Sequence, residues 1–145
     1  MIIQLKTSSK TNWIELEIKE SSTIEELYNK YKNDLEYTVL AAKVDNKIED
    51  LIFEIKKPCR IEFLDMRTQA ANLIYQYSLS LIYLKAIHDV LGRVQVDIAN
   101  SLSKGLFTEI KTIDPLTGKQ IKEIEKRMVE LVKKDIPFKK EIVSR

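Results

Sequence analysis

Apolar and polar residues alternate strictly along Trp13-Ile-Glu-Leu-Glu-Ile18, placing Ile14, Leu16 and Ile18 on one side of a strand and Glu15 and Glu17 on the other. Met1–Leu5 is short, apolar and β-branched, and the polar stretch Lys6–Asn12 between the two segments predicts a hairpin. Ser22-Thr-Ile-Glu-Glu26 offers a capping box in two registers, Ser22/Glu25 or Thr23/Glu26. The helix it opens carries Ile24, Leu27, Tyr28 and Tyr31 on one stripe and frays near Asn33-Asp34. Val39–Ala42 with Val44 is dense enough for a strand buried on both faces. Asp45-Asn46-Lys47 predicts a turn, because Asp and Asn tolerate left-handed backbone angles. Ile48 and Leu51–Phe53 read as short strand pieces, and Ile61–Phe63 as a closing strand. One helix on a small mixed sheet in this order predicts an α+β unit of the β-grasp kind over residues 1–64.

The polar stretch Asp65–Gln69 marks a boundary, and beyond it Ala71–Leu91 is the longest segment with a dense apolar load and neither Gly nor Pro. Leu73, Ile74, Tyr77, Leu81, Leu84, Ile87 (or His88) and Leu91 recur at helical spacing, while Leu79, Ile82, Tyr83, Ala86 and Val90 widen that face almost all the way round. Such a helix is expected between layers, with Leu81 in a dry interior where truncation to Ala costs roughly 2–5 kcal/mol. Gln76, Lys85, His88 and Asp89 interrupt it, so it does not read as a membrane span. Gly92 sits where a helix C-cap wants Gly. Val94–Ile98 and Leu106–Ile110 predict two strands joined by the polar turn Asn100–Gly105. Thr117-Gly-Lys-Gln120 is a further capping box. The helix after it should turn Ile121, Ile124, Met128 and Leu131 inward, with Glu123/Arg127 and Glu130/Lys134 paired outside. Ile136–Phe138 is extended, and Lys139–Arg145 reads as a severed connection, giving a second, smaller α+β domain over 70–145 that is cut short.

Composition narrows the chemistry. The 145 residues are 44% hydrophobic and 32% charged, ordinary for a globular chain, and 24 Lys+Arg against 22 Asp+Glu leave a net charge of only +2. Positive charge nevertheless gathers after Lys111, at Lys122, Lys126, Arg127, Lys133, Lys134, Lys139 and Lys140; such a run on a helix is usually just its solvated face. With a single Cys and a single His, an intrachain disulfide is impossible and a His/Cys zinc site nearly so. Neither leader nor span is visible, so a cytoplasmic setting is expected. Only 3 Gly are present, in no phosphate-cradling pattern. Cys59, after Pro58 and entering a strand, reads as a small buried hydrophobe and His88 as a histidine near a helix C-terminus. Tyr75, Tyr77 and Tyr83 fit core packing better than a ligand platform. Ser101, Ser103, Lys104 and Gly105 form the best candidate for anion contact, against the plain alternative of a hairpin turn.

Three segments of residues 1–64, Ser22-Thr-Ile-Glu-Glu-Leu27, Val39-Leu-Ala-Ala-Lys-Val44 and Asn46-Lys-Ile-Glu-Asp-Leu51, resemble the TGS domain, a ubiquitin-like β-grasp module at the front of threonyl-tRNA synthetases. From Ala70 onward the chain resembles the second, editing-type domain of those enzymes, carried by Gly105-Leu-Phe107, Ile121-Lys-Glu-Ile-Glu-Lys-Arg-Met128 and Lys134-Asp-Ile-Pro-Phe138. That family's editing domain uses an H-x-x-x-H pair, whose positions here hold Tyr77 and Leu81, and a later C-x-x-x-H that this segment does not reach. The departures imply no catalytic residues and no metal site. Tyr75-Gln-Tyr-Ser-Leu-Ser80 and Asn100-Ser-Leu-Ser-Lys-Gly-Leu-Phe107 also resemble bacterial uridine kinase-like proteins, in which such domains precede a P-loop kinase domain. That resemblance implies a non-catalytic regulatory front end binding a small ligand near Tyr77, Ser101, Ser103, Lys104 and Gly105. Its partner would be a downstream kinase domain in the same chain, which would use ATP and Mg²⁺ on a nucleoside. The synthetase resemblance implies instead an RNA-binding module on a tRNA acceptor arm, through Arg93, Lys104, Lys122, Lys126 and Arg127.

Overall fold

The hairpin is answered residue by residue: β1 (Ile2–Lys6) and β2 (Ile14–Glu17) pair antiparallel, with Ile3 opposite Leu16 and Leu5 opposite Ile14. The structure, a computed structural model, describes residues 1–99, 105–141 and 143–144. Its described residues divide into two compact units, Met1–Tyr77 and Ser78–Arg145. Both are mixtures of helix and strand, as the fold class required.

In the first unit β1 also runs parallel to β7 (Arg60–Asp65), which pairs antiparallel with β4 (Val39–Val44), itself antiparallel to β5 (Lys47–Glu49). The sheet order is therefore β2-β1-β7-β4-β5. A second ribbon pairs β3 (Ser22–Thr23) with β6 (Glu54–Ile55). Helix α1 (Ile24–Tyr31) buries Ile24 and Leu27 against Leu5, Ile61 and Phe63, each of the five at most 1% exposed. Burying a side chain of that size contributes roughly 1.5–3 kcal/mol, so this layer is the main stabilising contact of the unit.

Of the two capping registers the structure uses Thr23/Glu26: the Thr23 hydroxyl accepts the Glu26 N–H at 3.1 Å, and the Glu26 carboxylate accepts the Thr23 N–H at 3.1 Å. Ser22 lies one residue before the cap, in β3, and its hydroxyl donates to the Lys19 carbonyl at 2.9 Å. Leu51–Phe53 is not a strand. Its carbonyls accept the first helical N–H groups of α1, Ile24 to Phe53 at 3.1 Å and Glu25 to Leu51 at 2.8 Å, donors that no partner inside the helix could satisfy. Asp45 and Asn46 turn the chain with φ of 45° and 71°, as their chemistry predicted.

The boundary stretch is a built helix start. The Asp65 carboxylate, 4% exposed, accepts the Arg67 backbone N–H at 3.0 Å and its guanidinium at 3.0 and 2.7 Å. Thr68 caps α2 (Gln69–Leu91) by accepting the Ala71 N–H at 3.2 Å, while Ala71 packs on Ala41 and Leu64 of the sheet.

The second unit holds the later turns of α2, the antiparallel pair β8 (Gln95–Ala99) and β9 (Phe107–Lys111), and α3 (Gly118–Lys133). Gly92, at φ 77°, ends α2 in the left-handed conformation. Thr117 and Gln120 form the expected capping box on α3. Ala86, Ile87, Ile124 and Leu131 make the core, with Tyr83, Val96, Ile110 and Met128 packed around them.

The burial of α2 departs from expectation. Only Ala71, Ala86 and Ile87 are fully enclosed, while Leu81 is 53% and Tyr77 70% exposed, and Leu73, Tyr75, Leu79 and Leu84 are also open. With apolar residues on every side, the helix has almost no amphipathic direction, so the pattern could not say which side its neighbours cover. Ile121 is likewise exposed, because the inner face of α3 centres on Ile124 and Leu131.

Candidate nucleic-acid interface

The inner face of α3 is set by Ile124, Met128 and Leu131. On a helix of 3.6 residues per turn, Lys119, Lys122, Lys126 and Lys133 then fall on the side opposite Ile124. All four are exposed, and none enters an ion pair with a described residue. The row runs about 21 Å along the helix, at the ordinary rise per residue. Val129 and Glu130 border the strip on its two sides between Lys126 and Lys133, Glu130 being engaged by Arg127; Glu123 and Glu125 flank it further round.

Arg127 is different. Its Nε donates to Asp89 Oδ2 at 2.9 Å and its Nη1 to Glu130 Oε2 at 3.2 Å. Lys85 also bonds Asp89, and the two donors, Lys85 foremost, hold that carboxyl below its ordinary range. Glu123 is thus not the partner of Arg127. The guanidinium ties α3 to α2 within the second unit, and its charge is already matched by two carboxylates, so an RNA phosphate would gain less from it than from an unpaired lysine. Sequence spacing made Arg127 look equivalent to Lys122 and Lys126 because it counts charge without direction. The missed member, Lys119, was legible at i−3 from Lys122.

The other candidates scatter. Arg93 is exposed just beyond Gly92. Ser101, Ser103 and Lys104 lie outside the described residues; Gly105 is described and exposed. Tyr77 is open to solvent; within the second unit a largely apolar concavity of about 280 Å³ is lined by Leu79, Ser80, Tyr83, Ile98, Leu106, Thr108 and Met128. There Tyr83 Oη and Thr108 Oγ1 share a hydrogen bond at 2.8 Å. Of the three tyrosines, then, Tyr83 packs in the core while Tyr75 and Tyr77 stand open. His88 is exposed, and partial burial pushes the Cys59 thiol up, away from nucleophilic use.

No protein-family model matches the chain. It is similar to the threonine–tRNA ligase of Desulforamulus reducens, 27% identical over 124 residues that make up 86% of this chain and 20% of the ligase. The ligase of Natranaerobius thermophilus is 26% identical over 129 residues (89% and 20%), and that of Clostridium kluyveri 25% over 136 residues (94% and 21%). The similarity is to the N-terminal region of these enzymes, and the chain spans about a fifth of the length of the curated relatives it matches. A uridine kinase-like parent finds no support among them, so the nucleoside-kinase reading gives way to the synthetase one.

Proposed function

We propose that the chain is an RNA-binding module that docks on the acceptor arm of a tRNA through the outer face of α3. Its fold on this reading is a TGS-type β-grasp domain over 1–64 followed by an editing-like α+β domain over 70–145. The observation that carries the proposal is the row of exposed lysines Lys119, Lys122, Lys126 and Lys133, none of them in an ion pair with a described residue, in a chain that is similar to threonine–tRNA ligases along most of its length. Ammonium groups spaced along one helix side can neutralise successive phosphates, and releasing the condensed counterions supplies the driving force. Arg127, held by Asp89 and Glu130, fixes the helix that presents them. Nothing in the proposal requires bond-making chemistry. A tRNA partner also fits a cytoplasmic setting.

Fluorescence anisotropy with labelled tRNA at low salt tests it. Binding is expected, with an acceptor-stem minihelix competing as well as whole tRNA, and Lys122→Ala/Lys126→Ala weakening both. Absence of binding, or a minihelix that fails to compete, overturns the proposal.

A further inference from the structure

The outer side of the first unit's sheet carries the chain's single tryptophan in an unusual setting. Trp13 precedes β2 and is 38% exposed, and the Arg60 guanidinium lies over its ring, 4.5 Å from the centroid, with Lys6 Nζ at 5.8 Å. The strand register puts Lys6 opposite Glu62 and Glu62 opposite Lys43, so two lysines flank one carboxylate across three strands.

The nearby carboxylates are already engaged. Asp45 Oδ1 accepts the backbone N–H of Arg60 at 2.9 Å, and the Asp45 N–H donates back to the Arg60 carbonyl at 3.0 Å. Glu62 pairs with Lys6 at 3.6 Å. Among the described residues the Arg60 guanidinium has no carboxylate, and Lys43 has no ion pair. A stacked guanidinium keeps its edge N–H groups free for an anion. Beside it lies a shallow concavity of about 160 Å³, lined by Trp13, Lys43, Asp45, Asn46, Arg60 and Glu62. The left-handed turn at Asp45-Asn46 delivers the Asn46 amide to its rim.

We infer that this cluster is a stacking platform for one nucleotide of single-stranded RNA. The base would lie in the concavity against the Trp13–Arg60 stack, its edge would meet the polar groups of Asp45 and Asn46, and its phosphate would meet Lys43 and the free edge of Arg60. A guanidinium stacked on an aromatic ring, with amide and carboxylate groups at the rim, is a combination that unpaired bases select, because they stack on aromatic rings and on guanidinium planes alike. The inference shares the RNA partner of the proposed function but uses a site of its own.

Trp13 is the only tryptophan, so its fluorescence reports the site directly. Titration of the whole chain with oligo(A) and oligo(U) RNA should quench and shift that emission. Arg60→Ala should weaken the response, and Trp13→Ala, followed by anisotropy of labelled RNA, should weaken binding by about fivefold to a hundredfold, the range of base–aromatic stacking. Trp13→Phe should retain most of the affinity, which separates loss of stacking from loss of fold. RNA binding that leaves Trp13 emission unchanged overturns the platform while sparing the lysine row. Quenching that survives Lys122→Ala/Lys126→Ala supports the platform even where the lysine row fails. An equal response to inorganic phosphate alone marks an anion site and overturns the assignment to RNA.

Discussion

Asp65 shows how much one side chain decides. Its carboxylate ends β7, accepts three N–H groups of Arg67, and lies where the sheet hands the chain to α2. Arg67 in turn lies over Tyr37, 4.3 Å from its centroid, and within 3.8 Å of Glu36. The bonds from Arg67, outweighing the penalty of burial, hold the Asp65 carboxyl below its ordinary range. A carboxyl whose pKa is depressed by folding stabilises the fold above its unfolded value, near 3.9, and loses that contribution as pH falls toward the folded value. Urea midpoints should therefore decline below about pH 4, and Asp65→Asn should lower the neutral midpoint and flatten that acid limb. An Asp65→Asn curve parallel to the parent's would show that Arg67 does not hold this carboxylate in solution.

Among elements, the first unit was legible because its signals are local. The Thr23/Glu26 box and the Asp45-Asn46 turn each specify their own geometry, and each is found; the alternation in Ile14–Ile18 gives its strand and buries Ile18, while Ile14, on the edge strand, is 43% exposed. Leu51–Phe53 was misread because an apolar triplet does not reveal that its carbonyls serve as partners for a helix start. Helix α2 was found as an element and misread as an environment. Period 3.6 locates a helix, but a helix apolar all round has no preferred inward side, and Ala86 and Ile87 won that place over Leu81. Leu81→Ala is accordingly expected to cost at most about 0.5 kcal/mol and Ile87→Ala about 2–5 kcal/mol in chemical denaturation. Equal, large costs would restore Leu81 to a core. The candidate site was half legible for a related reason: the lysines of α3 could be counted from sequence, but only the structure separates the outward row from Arg127, whose partner Asp89 lies 38 residues earlier.

For the whole molecule, a net charge of +2 argues against nonspecific attraction to RNA, so any binding must come from local arrangement. The lysine row on α3 provides such an arrangement, and it distinguishes this account from one in which those lysines merely solvate a helix. The measurement that separates them is tRNA affinity across a salt series for the parent chain and for Lys122→Ala/Lys126→Ala. The account predicts a steep linear fall of log affinity with log salt, and a slope about two units shallower in the double variant, one for each lost phosphate contact. An unchanged slope, or no tRNA binding even at low salt, would contradict it.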